Sequence, residues 1–287
     1  MGVLAAKLVL APTFVVMASL AARRYGARIG GLIGGLPVVA GPILLVFALD
    51  HGRTFAASAS AATLLGIVSL IAFILVYARL AGGVHWGASL LLGWGAFFAV
   101  TAVLSALAVS PPVALICVLA AVGAALTALP RSRGERLSEA IPPAWDLPLR
   151  GASALALVLA LTALAGQLGA KLSGLLAPFP VIASVLAVFT HAQHGEDDLL
   201  RIMRGFVLGL VAYALFCFAL AEALRSMSIA ASFAIAVAAA LATQSIALAL
   251  SWRRREPSAR ASSRHGDTSG GAVVEADTAA AGEPEPA

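Results

Sequence analysis

Charge is what this chain has least of: Lys, Arg, Asp and Glu make up only 11% of its 287 residues, against roughly a quarter in soluble domains. That excludes an ordinary water-facing shell for most of its length. No Asp or Glu stands at the centre of a long apolar run; Asp50 and Glu222 lie near run ends. Proton-coupled carriers use carboxylates in such places, so the absence speaks against a drug/proton antiporter. The two cysteines, Cys117 and Cys217, both fall inside apolar runs. They exclude a disulfide framework and make a poor zinc site, and are read as small hydrophobes in the core. No nucleophile paired with a base, no Gly-rich nucleotide loop and no metal-ligand constellation occurs, which points away from an enzyme and calls for no cofactor. Ten-residue segments of alternating polarity are missing too, which excludes a transmembrane β-barrel.

What remains is apolar: 61% hydrophobic residues and a mean hydropathy of +0.97. A helix crosses a bilayer with about 20 mostly apolar residues. Nine stretches meet that need: 3–21, 29–49, 55–78, 86–109, 113–129, 148–167, 174–191, 200–224 and 229–252. Ser110, Pro111 and Pro112 divide the fourth from the fifth, in a run too long for one crossing. The expectation is an all-α integral membrane protein of nine spans with the lipid bilayer as its partner.

Basic residues orient it. With nine spans, one side carries Arg23, Arg24, Arg28, Arg79, Arg131, Arg133, Arg136, Arg150, Arg201, Arg204 and Arg253 to Arg255, and the other Lys7, Arg53, Lys171 and Arg225. Lys and Arg accumulate in cytoplasmic loops. The amino terminus is expected outside and the carboxyl terminus in the cytoplasm, at a bacterial inner membrane. The pI near 9.9 then reflects membrane anchoring, and no nucleic acid is implied. Residues 1–22 also resemble a signal peptide, with Lys7 before an apolar run and small residues in "ASLAA", but the arginine pair that follows reads as a membrane flank.

The chain repeats itself. A shift of 143 residues lays 26–52 over 169–195 without a gap, and 14 of 55 positions match between 26–80 and 169–223, among them Gly31 with Gly174, Pro37 with Pro180 and His51-Gly52 with His194-Gly195. The register extends back to place Lys7 on Arg150, so the first span belongs to the repeat. The expected organisation is a first transmembrane repeat at 1–109, a linking helix and cytoplasmic loop at 110–145, a second repeat at 146–252 and a disordered cytoplasmic tail at 253–287. Each repeat has four helices. One extra crossing between them makes the second start from the opposite face, and inverted repeats of this kind recur among secondary transporters, with substrate held near the midplane.

Gly and Pro are densest at "GGLIGGLPVVAGP", 30–42, inside the second span. In lipid they are tolerated only where protein or water satisfies the backbone groups they free. Pro37 and, in the other half, Pro178 and Pro180 mark symmetric helix breaks. Candidate substrate-binding residues are therefore Gly34, Gly35, Pro37, Pro178, Pro180, His51 and His194. The same stretch also serves close helix packing, through the small-xxx-small pairs Gly30/Gly34, Gly31/Gly35 and Ser173/Ala177. His191 and His194 stand one turn apart without a third ligand. Arg201 and Arg204 follow the acidic Glu196, Asp197 and Asp198, where Asp197 with Arg201 makes an i, i+4 pair; they read as an anchor with helix capping or as a solute gate. Thr243, Gln244 and Ser245 lie deep in the last span, where hydrogen bonds between helices are their ordinary use.

The stretch "SGLLAPFPVIASVLAVFTHAQHG" resembles the GlpM-like bacterial membrane proteins, small four-helix proteins whose second helix carries a similar "GL..xFP" break. Gly174, Leu175, Phe179, Pro180 and Gly195 carry the match, with Gly31, Leu32, Pro37 and Gly52 as its first-half echo and Leu36 in place of the phenylalanine. The resemblance implies two fused four-helix units and an envelope-related role, and brings no biochemical activity. In length and inverted duplication the chain is also similar to the ten-span drug/metabolite exporters, with one span fewer. The expected function is a small-solute transporter or exporter with a small-molecule substrate. The competing class is a non-transporting subunit or assembly factor in envelope or exopolysaccharide biogenesis. A homo-oligomer is compatible with these features, and no residue specifies one.

Overall fold

The computed structural model describes residues 2–38, 40–132, 145–164 and 170–253; the expected loop at 133–144 and the tail from 254 lie outside them. The described residues are helical, with no strand. The helices are α1 (Gly2–Tyr25), α2 (Ala27–Gly34), α3 (Ala40–Asp50), α4 (Arg53–Leu80), α5 (Trp86–Ser105), α6 (Pro111–Ala128), α7 (Asp146–Leu164), α8 (Ala170–Leu176), α9 (Val181–Ala223) and α10 (Ile229–Arg253). Contacts divide the chain into one unit at Met1–Ser245 and another at Ile246–Ala287, of which only the last turns of α10 are described.

Among the described residues, five segments are long and apolar enough to cross a membrane: Arg53–Leu80, Trp86–Ser105, Pro111–Ala128, Lys171–Ala223 and Ile229–Leu250. They are of two kinds. In α4, 67% of the apolar stretch is buried, whereas in α10 the figure is 17%. α4 and α9 form the centre, and α5, α6 and α10 present large apolar side chains outward. Leu91, Val103 and Ile116 are each about two-thirds exposed, which suits a lipid surround far better than water. Cys217 is buried as expected, but Cys117 is exposed. Its placement in the core is corrected: α6 is a peripheral helix, and on such a helix an apolar residue faces outward as readily as inward.

Helix boundaries recur at the 143-residue shift: Arg53–Leu80 falls on 196–223, and Trp86 falls on Ile229, where α10 begins. Gly195 sits inside α9 with φ 79° and ψ −172°, and Gly52 precedes α4 with φ 85° and ψ 172°. Only glycine adopts that conformation without strain, so both positions are turns between two helical segments. Gly195 thus divides α9 into 181–194 and 196–223, at the place where the seventh and eighth spans are expected to part.

α4 and the second segment of α9 run antiparallel. Arg53 at the start of α4 donates to the Met227 carbonyl at 2.9 Å, just past the end of α9. Near the other end of α4, the Tyr77 hydroxyl lies 3.4 Å from His191 Nδ1. α6 packs on both helices, and α1 packs on α7.

Candidate functional site

The two breaks are the same local structure. At the first, Leu36 N–H donates to Ile33 O (3.2 Å), Val38 N–H to Leu36 O (2.8 Å) and Gly41 N–H to Pro37 O (2.8 Å). At the second, Phe179 N–H donates to Leu176 O (2.9 Å), Val181 N–H to Phe179 O (2.7 Å) and Ser184 N–H to Pro180 O (2.7 Å). Every donor and acceptor is displaced by 143 residues. The cause is proline: it lacks an N–H and crowds the preceding turn, so the helix ends before it and restarts after it.

A break releases backbone acceptors. In an unbroken helix Leu36 N–H would bond to Leu32 O, but here it bonds to Ile33 O. Leu32 O is taken instead by Gln244 Nε2 of α10 at 2.8 Å. Gln244 is only 5% exposed, and its Oε1 is buried without a hydrogen-bond partner.

Glycine brings the helices around the breaks into backbone contact. A Cβ on Gly31 would collide with the Ile202 carbonyl, and one on Gly174 with the Ala59 carbonyl. A Cβ on Gly209 would collide with the Leu32 carbonyl, and one on Gly66 with the Leu175 carbonyl. In each pair the second contact is the first with its two partners exchanged between halves at the 143-residue shift. α2 meets α9 as α8 meets α4.

The candidate residues divide accordingly. A Cβ on Gly34 would press on Leu186 and the Phe206 ring, 3.0 and 3.1 Å away, and one on Gly35 would reach the Phe206 carbonyl at 2.7 Å. Both are close-packing positions against α9. Pro178 and Pro180 are buried and Pro37 is half-buried. His51 is exposed, its ring stacked on Phe55 at 4.6 Å, and His194 is half-buried. The histidines stand beside the opening turns of α4 and of the second segment of α9, which run antiparallel, so they lie at opposite ends of the bundle and the structure does not bring them together with the breaks.

Side chains fill the two breaks differently. Phe179 sits among Phe97, Trp94 and Phe98 of α5 with ring centroids at 5.3, 5.7 and 5.7 Å, and Trp94 Nε1–H donates to Ser184 Oγ at 2.9 Å. The register-equivalent positions are Leu36 and Gly41 at the first break and Val237, Ala240 and Leu241 of α10. One break is enclosed by four aromatic rings; at its twin those positions carry none, and Phe206 and Phe216 of α9 lie against Gly34 and Gly41 instead.

Sequence reasoning missed a buried ionic cluster. The fully buried Asp146, which opens α7, accepts from Arg23 at the end of α1. It also accepts from Arg150 Nε at 2.9 and 3.0 Å and from Gln193 Nε2 of α9 at 2.6 Å. Arg150 also lies over the Phe189 ring, 4.9 Å from its centroid. Burial pushes the Asp146 carboxyl up, but hydrogen bonds from Gln193, Arg150 and Arg23 outweigh it and hold the group below its ordinary range. The available signal was Asp146 with Arg150, an i, i+4 pair at the opening of a span.

Arg204 is a cap. Its guanidinium donates to the carbonyls of Leu126, Leu129 and Pro130 at the end of α6, and Arg79 reaches Ala128 O at 3.4 Å. Arg201 pairs with Asp198 at 2.8 Å. Thr243 bonds back to Ala239 O within α10. Among the described residues no three His, Cys, Asp or Glu side chains are grouped to hold a metal ion.

These features define an all-helical chain with membrane-length apolar helices and a pair of matched helix breaks. No family model, no curated protein and no solved structure matches it.

Proposed function

We propose that the chain is a nine-span protein of the bacterial inner membrane, built as two inverted four-helix repeats, that moves a small solute past the paired helix breaks. The observation that carries this reading is the exchange of partners: glycine contacts and break hydrogen bonds recur with the two halves interchanged, as a twofold axis between the repeats requires. The antiparallel course of α4 and its counterpart in α9 fits an axis in the membrane plane. Polar contacts at helix ends fit the same topology. Arg23, Asp146 and Gln193 join ends that nine spans assign to the cytoplasm, as do Arg79 and Arg204 with the end of α6, while Arg53 and Met227 belong to the outer face. The amino terminus is outside and the carboxyl terminus inside.

A second reading has support in the same glycines. Backbone contact at Gly31, Gly66, Gly174 and Gly209 packs both breaks tightly, as a non-transporting envelope subunit of GlpM-like ancestry would require. Single cysteines at Arg53 and Glu196, in a chain carrying Cys117→Ala and Cys217→Ala, test the architecture with an impermeant maleimide. The expected result is labelling from opposite faces; labelling from one face removes the inverted architecture. A cysteine at Leu36 then separates the two roles. Reaction with a small water-soluble reagent in sealed vesicles favours transport, and complete protection favours the scaffold.

A further inference from the structure

The matched breaks share a backbone, so what distinguishes them lies in the side chains packed around each. At the second, Phe179 is enclosed by Trp94, Phe97 and Phe98, and Trp94 bonds to Ser184. At the first, the equivalent positions carry Leu36, Val237, Ala240, Leu241 and Gly41, a set of smaller volume, and the rings that pack there, Phe206 against Gly34 and Phe216 against Gly41, come from α9. The polar side chains differ in the same way. Thr101 of α5 is satisfied by Ser69 Oγ at 2.9 Å, whereas its register equivalent, Gln244, spends its amide N–H on Leu32 O and leaves Oε1 buried and unpaired. A buried acceptor left unmade costs stability, and native structures keep few of them.

We propose that the first break alone carries the solute site, and that Gln244 Oε1, beside the released Leu32 carbonyl, receives a hydrogen bond from a neutral solute bearing a hydroxyl or amide donor. This rests on the transport reading above. Neutrality follows from the absence of countercharge: among the described residues the acidic side chains, Asp50, Asp146, Glu196, Asp197, Asp198 and Glu222, all stand at or near helix ends or turns. Only two oxygens are at hand, and Leu32 O already accepts from Gln244 Nε2; a dehydrated cation takes about six. The donor follows from the acceptor, since an amide oxygen can only accept.

The test uses the full chain in sealed proteoliposomes with two labelled probes, mannitol as a neutral donor and tetraethylammonium as a cation with no donor. Mannitol flux above protein-free vesicles, without tetraethylammonium flux, is the expected result. Gln244→Leu is expected to lower mannitol flux about tenfold, the equivalent of one hydrogen bond, while Thr101→Val at the sealed break leaves it within about twofold. If Gln244→Leu does not purify as a monodisperse species, Gln244→Met takes its place. Wild-type flux that Gln244→Leu does not change overturns the assignment of this residue and leaves the transport reading standing. Tetraethylammonium flux, or no flux of mannitol, overturns the neutral-donor class. The transport reading itself fails separately, in the cysteine-labelling experiment.

Discussion

The break at Pro37 and the break at Pro180 have the same three backbone hydrogen bonds and unlike surroundings. Around Pro180 four aromatic rings and a Trp–Ser bond fix the chain; around Pro37 a glutamine caps one released carbonyl, and Phe206 and Phe216 of α9 lie against the flanking glycines. Backbone geometry at such a place is dictated locally, by proline and by the glycines that admit a neighbouring helix, so it persists in both halves. The side chains around each break are free to differ. Two breaks with one backbone pattern can therefore share a shape and be filled differently.

Thermal unfolding in detergent sharpens this comparison. The largest difference is expected from truncating the residue at the centre of each break. Phe179→Ala removes a ring packed against three others and should cost about 3 kcal/mol, whereas Leu36→Ala should cost about 1 kcal/mol. Equal losses would show that the aromatic cluster does not stiffen the second break. Gly31→Ala and Gly174→Ala should each cost about 2 kcal/mol, because both push a methyl into a carbonyl of the facing helix. Here equality is the expectation, and a difference of more than about 1 kcal/mol would break the equivalence of the two contacts. Trp94→Phe, which keeps a ring and loses the bond to Ser184, should cost about 1 kcal/mol. Val237→Phe, at the register-equivalent place in α10, adds a ring that has no hydrogen bond of this kind to lose.

Much of this was legible in the residues. Proline interrupts a helix wherever it stands inside one, so Pro37 and Pro180, aligned in one register, located both breaks. His-Gly at 51–52 and 194–195 located both glycine turns. The candidate site fared less evenly. His51 and His194 entered it because they align, yet alignment across halves whose matching helices run antiparallel puts them at opposite ends. Gly34 and Gly35 stand at the break as expected, in close contact with α9. From the sequence Gln244 reads only as a hydrogen-bonding side chain, because its partner, Leu32, lies 212 positions away and is free to accept only once the break exists. Asp146 was hidden for a related reason: two segments distant in the chain, the ends of α1 and of the first part of α9, converge on it, and no periodicity announces that. Cys117 was misplaced because a residue facing lipid and one facing the core obey the same hydropathy.

Arg204 sets an order of events during synthesis. The last carbonyls of α6 are held by a guanidinium that follows Pro130 by 74 residues, and the final turn of a helix has no acceptor-satisfying partners of its own. While the ribosome is still translating the intervening stretch, Arg79 can already reach Ala128 O, but the carbonyls of Leu126, Leu129 and Pro130 must rely on water or lipid headgroups. The end of α6 can reach its final state only once Arg204 has been made, so it matures later than the helices that precede it.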